Sequence, residues 1–301
     1  MLKITALRFT QIQSNNMSKL KIAIQKSGRL SEKSLDLLKN CGIQIQNGNR
    51  KLRAEAKNFP IEILFLRDDD IPQYVEQGIA DIGILGENEV WEQNKNVRCI
   101  QQLGFAGCRM SIAIPKDQQY EGIQSFNGKR IATSYPTVLQ NFFSKENVSA
   151  NVEVIGGSVE IAPSIGLADA VFDIVSTGST LLMNGLKEVE TVLRSQAVMI
   201  VNKELSSETQ ALLDKLLFRI RAVATAKRNK YILMNVPNES IPKISNILPG
   251  MKSPTILPLA DEGWSSLHSV VQEDQFWDII DQLKELGAEG ILVSPIEKMI
   301  L

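Results

Sequence analysis

The sequence predicts an α/β protein made of two similar lobes and a smaller, separate C-terminal domain. Three observations carry this. Short apolar runs are repeatedly followed by a Gly- or Ser-bearing turn and then an amphipathic segment, as in parallel sheets covered by helices. Gly78-Ile-Ala-Asp-Ile-Gly-Ile-Leu-Gly-Glu-Asn88 and Gly166-Leu-Ala-Asp-Ala-Val-Phe-Asp-Ile-Val-Ser176 share one pattern: Gly, apolar, Ala-Asp, apolar strand, polar turn. This weak internal repeat fits two like lobes with a ligand cleft between them. From Lys230 onward the expected order is βαββαβ, the ferredoxin-like arrangement.

In the first lobe, Leu20–Gln25 reads as a strand, Lys26–Leu30 as a turn, and Ser31–Cys41 as an amphipathic helix stopped by Gly42. Lys26 and Arg29 place positive charge at that turn, which suits a polyanion. The bland alternative is an ordinary βα loop with two solvated cations. Residues 48–57 read as a hairpin or extended segment. Ile61–Leu66 is a strand that ends in Arg67-Asp-Asp-Asp-Ile-Pro72. Those carboxylates either cap the next helix, the reading favoured for Asp69, or face a cleft; Asp68 and Asp70 are left open. Ile79–Leu85 is a strand, followed by Gly86-Glu-Asn88 and a helix.

Cys108–Pro115 reads as a strand that crosses into the second lobe. Gly128–Pro136 is a strand and turn, then a helix runs from about Thr137 to Glu146, with Ser134 and Tyr135 at its mouth. Tyr135 is placed to stack on a flat ring, or merely to cap the turn. Val152–Ile155 is a strand, and Gly156–Pro163, carrying Glu160, leads into a helix to Leu167. Leu186–Arg194 and Ala197–Asn202 are expected to return the chain to the first lobe. Ser206–Lys227 is a long helix.

The stretch of greatest interest is Asp169–Leu181. Ala170–Val175 is almost wholly apolar, as a strand covered on both faces would be. Ser176, Thr177, Gly178, Ser179 and Thr180 follow at once and supply hydroxyls, close backbone approach and free N–H groups, which together make a phosphate cradle. Asp173 sits three residues before the turn, where a carboxylate needs ribose hydroxyls or a phosphate-bound Mg²⁺ as partner. The plain alternative is a βα turn whose Ser and Thr cap a helix.

Composition excludes several classes. Over 301 residues the net charge is -1, which gives no electrostatic case for a nucleic-acid partner. The single histidine, His268, excludes a His-cluster metal site and disfavours a His-based nucleophile relay. Cys41, Cys99 and Cys108 have no metal-ligand spacing, and their odd count points to reduced thiols in a cytosol. No apolar run reaches the roughly 18 residues of a membrane span. Residues 1–16 are polar and lack a signal-peptide core; the expectation is that Met17 is the real start or that residues 1–16 are a loose extension.

With these pieces placed, residues 19–301 resemble the long form of the ATP phosphoribosyltransferase family. The resemblance rests on Gln25–Leu30, Arg67–Pro72, Gly86–Asn88, Gly128–Pro136, Gly156–Glu160, Asp173–Thr180 and Leu292–Met299 in that order. It implies a two-lobed catalytic part like a periplasmic binding protein and a C-terminal ferredoxin-like regulatory domain. The implied boundaries are an extension over 1–18, a first lobe of 19–115 with 188–225, a second lobe of 116–187, and a histidine-binding domain of 228–301.

The resemblance further implies that phosphoribosyl pyrophosphate binds at Asp173 and Ser176–Thr180. It implies ATP at Lys26, Gly28, Arg29, Asp70, Gly86, Glu87, Ser134 and Tyr135. Lys26, Arg29, Glu160 and Asp173 are the expected catalytic residues. Mg²⁺ travels with the substrate phosphates. Histidine is the expected feedback inhibitor, with Ser253 and Thr255 as contacts, while His268 is expected to be structural. The implied protein is a cytoplasmic homo-oligomer, dimer or hexamer, without a nucleic-acid or membrane partner. A non-enzymatic rival, a two-lobed solute sensor, lacks support from any DNA-binding module or membrane tether.

Overall fold

The computed structural model describes residues 18–46, 52–248 and 253–301. The extension 1–16, the start expected at Met17 and residues 48–51 of the expected 48–57 segment lie outside them. The first lobe opens with β1 (Leu20–Gln25), α1 (Arg29–Asn40), β2 (Arg53–Glu55), β3 (Ile61–Leu66), α2 (Ile71–Glu76), β4 (Ile82–Gly86), α3 (Glu87–Gln93) and β5 (Arg98–Gln102). The second contains β6 (Cys108–Pro115), β7 (Arg130–Thr133), α4 (Pro136–Glu146), β8 (Asn151–Val154), β9 (Ala170–Val175), α5 (Ser179–Met183) and β10 (Leu186–Ser195). The chain returns through β11 (Ala197–Val201) and α6 (Ser207–Lys227). It ends in β12 (Asn229–Pro237), α7 (Ile241–Ile247), β13 (Thr255–Pro258), β14 (Trp264–Gln272), α8 (Glu273–Glu285) and β15 (Glu289–Pro295).

Three sheets result, ordered β2-β3-β1-β4-β11-β5, β10-β6-β9-β7-β8 and β13-β14-β12-β15. In β1, Leu20, Ile22 and Ile24 pack with Leu37 and Leu38 of α1 and Leu213 and Leu216 of α6. Ala23 faces the other way, onto Ile71 and Val75 of α2. A strand covered on both faces must be apolar where it is covered, so Ile22, Ala23 and Ile24 run without polar alternation and only Lys21, near the strand's entry, is exposed. In the second lobe, Ile112, Ile131 and Phe172 meet Val138, Leu139 and Phe143 of α4. The opposite face is lined by the small residues Ala113 and Ala132, with Val171, against Val159, Ala162 and Leu181. The third sheet is antiparallel throughout and covers one face with α7 and α8, giving the expected ferredoxin-like domain.

The internal repeat has a structural meaning. Asp81 accepts the Lys21 N–H at 2.7 Å and returns its own N–H to the Lys21 carbonyl at 3.0 Å. Asp169 repeats this with Arg130, at 2.8 Å both ways. Each aspartate clips the entry of one parallel strand to its neighbour, β4 to β1 and β9 to β7. Gly78 and Gly166 hold the preceding turns at φ 68° and 74°, the left-handed region that favours glycine.

Several sequence expectations are corrected. The implied boundaries put residues 108–115 and 188–195 in the first lobe, but β6 pairs with β9 and β10 pairs with β6, so both belong to the second sheet, where the strand reading of Cys108–Pro115 places β6. Apolar alternation marks a strand without naming its partner. The helix expected up to Leu167 is only a 3₁₀ turn at Val159–Ile161; Pro163 and the left-handed Gly166 break its continuation. β5, for which no strand was expected, pairs with β11.

The chain crosses between the lobes twice, and the crossings are bonded to each other. Leu103 donates to the Ala197 carbonyl, Ala197 to that of Phe105, both at 2.9 Å, and Gly104 donates to the Gln196 side chain at 3.2 Å. Among the described residues no helix is long and apolar enough to cross a membrane.

The clip predicts a local cost. Asp169→Ala leaves the Arg130 N–H without its acceptor and should lower stability by about 1–2 kcal/mol, read as a shift in urea midpoint at unchanged slope.

Candidate active site

In open α/β sheets ligands bind beyond the carboxyl ends of the parallel strands. β1, β3 and β4 end in Lys26–Gly28, Asp68–Asp70 and Glu87–Asn88; β7, β8 and β9 end in Ser134–Tyr135, Gly156–Ser158 and Ser176–Thr180. These two sets meet across the gap between the lobes. Glu89 accepts from the Asn88 amide at 3.1 Å, and Tyr135 feels the charges of Glu89 and Asp68 from the first lobe and Asp173 from the second. Asp173 in turn feels Glu160.

Burial dominates the electrostatics of this cleft. Glu89 is only 6% exposed. Desolvation, reinforced by Asp68, Asp69 and Glu92, pushes its carboxyl up to about 7, although the Tyr135 hydroxyl opposes the shift. The Tyr135 phenol is driven well above its usual range by burial and then by Glu89 and Asp173. Asp173 is raised by burial, partly offset by the Ile174 N–H that it accepts at 2.7 Å. Burial also raises Glu87.

The phosphate-cradle candidate is an exposed turn. Gly178 adopts φ 81°, in the left-handed region, and opens the short helix α5. The Thr177 and Ser179 hydroxyls lie 3.0 Å apart. Among the described residues, the N–H groups of Thr177, Gly178 and Thr180 meet no protein acceptor.

Beneath the turn lies a pair that sequence reasoning did not single out. Arg109 of β6 makes two bonds of 2.6 Å to Glu188 of β10 and donates to the Ser176 carbonyl at 3.2 Å. Ser111 and Thr191 add bonds to Glu188 at 2.7 and 3.2 Å. The Arg109 guanidinium and these hydroxyls hold the Glu188 carboxyl down to about 2. The bidentate geometry fixes the base of the loop. A charged residue within an otherwise apolar strand was the available signal, since such a charge needs a partner.

The other expected residues are placed as follows. Lys26 and Arg29 are exposed beside the left-handed Gly28, and neither forms an ion pair among the described residues. Gly86 and Glu87 open α3, where the Glu87 N–H bonds to the Gln196 carbonyl at 2.9 Å. Ser134 is spent on the Ile155 carbonyl at 2.6 Å. Asp70 is exposed, and neither it nor Asp69 caps α2 through its side chain. Asp69 instead pairs with Arg67 at 3.0 Å, so the capping reading is overturned. Ser253 and Thr255 lie at the exposed edge of the third sheet, outside the cleft. His268 uses both ring nitrogens, with Tyr231 at 2.6 Å and Ser266 at 3.1 Å. No group of three or more His, Cys, Asp or Glu residues is placed to hold a metal among the described residues.

Paired βα turns facing one another, one set carrying a hydroxyl-rich loop, define a two-lobed α/β protein with a cleft between its lobes. The family model for ATP phosphoribosyltransferase (HisG) matches residues 67–222, and that for the HisG C-terminal domain matches 226–298. ATP phosphoribosyltransferase of Cytophaga hutchinsonii is 57% identical over 93% of this chain and 98% of its own. That of Bacteroides thetaiotaomicron is 57% identical over 94% of this chain and all of its own. A chain of the ATP phosphoribosyl transferase (HisG:HisZ) complex from Thermotoga maritima aligns with TM-score 0.57 and 30% identity, over 67% of this chain and 98% of that one. The chain belongs to the ATP phosphoribosyltransferase family.

Glu89 yields a pH prediction. Its folded pKa lies above the ordinary 4.5, so the folded protein holds a proton that the unfolded chain releases. Stability is therefore lost as pH rises from 4.5 to about 7, and the full penalty persists above that. Its ceiling is about 3 kcal/mol. Glu89→Gln cannot ionise. Urea unfolding should show it gaining on the wild type between pH 5 and pH 8; an equal difference at both contradicts the assignment.

Proposed function

We propose that this chain carries out the reaction for which its family is named, as the first step of histidine biosynthesis. ATP and phosphoribosyl pyrophosphate enter the cleft. The C1–oxygen bond to pyrophosphate breaks, N1 of the adenine bonds to C1, and pyrophosphate leaves with the bonding electrons. The product is phosphoribosyl-ATP. Adenine N1 is unprotonated near neutral pH, so no general base is needed at the nucleophile. The transition state resembles an oxocarbenium ion, and catalysis rests on placement and charge neutralisation.

The observation that carries this reading is the Ser176–Thr180 turn, with its open N–H groups and its Arg109–Glu188 support. In this reading the turn takes the 5′-phosphate, and Asp173 and Glu160 take ribose hydroxyls. Lys26 and Arg29 neutralise pyrophosphate as it departs. ATP lies against Lys26, Gly28, Arg29, Asp70, Gly86, Glu87, Ser134 and Tyr135. The metal is Mg²⁺, carried in on the substrate phosphates.

The C-terminal domain is assigned as the regulatory one, with boundaries at 228–301. Histidine binds there, with Ser253 and Thr255 as contacts, and lowers activity by preferring one quaternary state. Leu257, 51% exposed, and Leu292, 61% exposed, support self-association of this domain into the dimer and hexamer. A reduced cytoplasm suits the three free thiols.

The test is to mix the protein with Mg²⁺, ATP and phosphoribosyl pyrophosphate and follow pyrophosphate release with product absorbance, with and without histidine. Thr177→Val combined with Ser179→Ala should raise KM for phosphoribosyl pyrophosphate about tenfold or more, while KM for ATP stays within about twofold. A rise in KM for ATP alone contradicts the loop assignment.

A further inference from the structure

We propose that Glu92 is a positioning residue for this reaction: its carboxylate bolts α3 of the first lobe to the start of α4 in the second, fixing the gap across which the two substrates meet. Its oxygens accept the N–H groups of Thr137 and Val138, each at 3.0 Å. These belong to the first turn of α4, where backbone N–H groups have no partner within the helix. α4 has no acidic residue in that turn and no side-chain cap of its own. The compensating charge comes from the other lobe.

The place of this contact gives it leverage. α3 begins where β4 ends, and α4 begins one residue after Tyr135, so both helices rise from the floor of the cleft. Glu89 and Glu92 lie three residues apart on one face of α3, and that face packs on α4. Glu89 meets Tyr135 itself. Elsewhere the lobes are joined by the two crossings at 103–107 and 196, a paired ribbon that permits hinge rotation, and close beside that ribbon by Asn88, whose N–H donates to the Ser195 hydroxyl of β10 at 3.0 Å and whose Oδ1 accepts from it at 2.9 Å. A bond from α3 to α4 removes that freedom at the reacting side. It sets the distance between the turns after β1 and β4 and those after β7 and β9.

A residue with this role acts on the meeting of the substrates and leaves the binding of each one intact. Loss of the bolt should therefore fall on kcat. Misplacement on the ångström scale costs up to about 100-fold, so Glu92→Ala should lower kcat by about 10- to 100-fold. Glu92→Gln keeps one acceptor oxygen in the same shape, should fold like the parent, and should lose less than Glu92→Ala.

The experiment measures kcat and both KM values for the parent and the two variants. Isothermal calorimetry of ATP alone and of phosphoribosyl pyrophosphate alone is run alongside. The expected result is a graded fall in kcat, Ala below Gln below parent, with both dissociation constants and both stoichiometries unchanged. A kcat that is unchanged or raised in either variant overturns the proposal, the raised case showing that the contact restrains opening. A fall in kcat matched by an equal fall in stoichiometry also overturns it, because the loss is then one of folded protein. The inference rests on the cleft being the site of reaction. Failure of that reading shows separately, as the Thr177→Val, Ser179→Ala variant binding phosphoribosyl pyrophosphate as tightly as the parent.

Discussion

The hydrogen bonds that tie Leu103 and Phe105 to Ala197 determine where everything else in this molecule can lie. They hold the two chain crossings side by side, so the lobes can turn about one ribbon and not drift apart. Given that ribbon, the carboxyl ends of the parallel strands of the two sheets face each other. Free N–H groups, hydroxyls and helix starts collect at those ends because a parallel strand must end in a turn leading to a helix. The cleft is thus a consequence of topology, and its chemistry comes from the few residues placed on six turns.

Those residues divide by charge. Asp68, Glu89, Glu160 and Asp173 form an acidic interior, while Lys26 and Arg29 stay exposed at the turn after β1. The acidic interior suits ribose hydroxyls, an oxocarbenium-like centre and metal-bound phosphate; the exposed cations suit a departing polyanion. Burial makes each acidic group more sensitive to its neighbours, as the raised carboxyls of Glu89 and Asp173 show. The bidentate ion pair beneath the hydroxyl-rich turn, Arg109–Glu188, is spent on the architecture of the loop. An enzyme that needs no proton shuttle at the nucleophile can place its strong electrostatics in support of geometry.

Much of this was legible in the sequence, for identifiable reasons. Fully buried strands announce themselves as apolar runs, and turns that need left-handed backbone announce themselves as glycine, so β1, β4, β9 and the Ser176–Thr180 turn could be found. The repeat around Asp81 and Asp169 was visible, although its purpose, a clip between neighbouring strands, needs coordinates. What stayed hidden depends on partners distant in sequence. β10 carries the pattern of a strand but no mark of its sheet, and was expected to return to the first lobe. Arg109 and Glu188 are separated by most of the second lobe. Glu89 and Glu92 look like ordinary acids near a helix start, where dipole complementarity explains them. Only the other lobe shows what they touch. Asp69 was misread for a different reason: local logic favoured a cap, but its carboxylate pairs with Arg67, two residues before it.

The central claim is that the 5′-phosphate of phosphoribosyl pyrophosphate is held by the Ser176–Thr180 turn, and ATP chiefly by the turns of the first lobe across the same cleft. Amide hydrogen exchange, read residue by residue with each substrate alone, tests it most directly. The account predicts that phosphoribosyl pyrophosphate slows exchange at Thr177, Gly178 and Thr180. It predicts that ATP slows exchange over residues 26–29 and 86–88, with little change in the third domain. Protection by either substrate confined to residues 228–301, or the absence of protection from the Ser176–Thr180 turn, contradicts it.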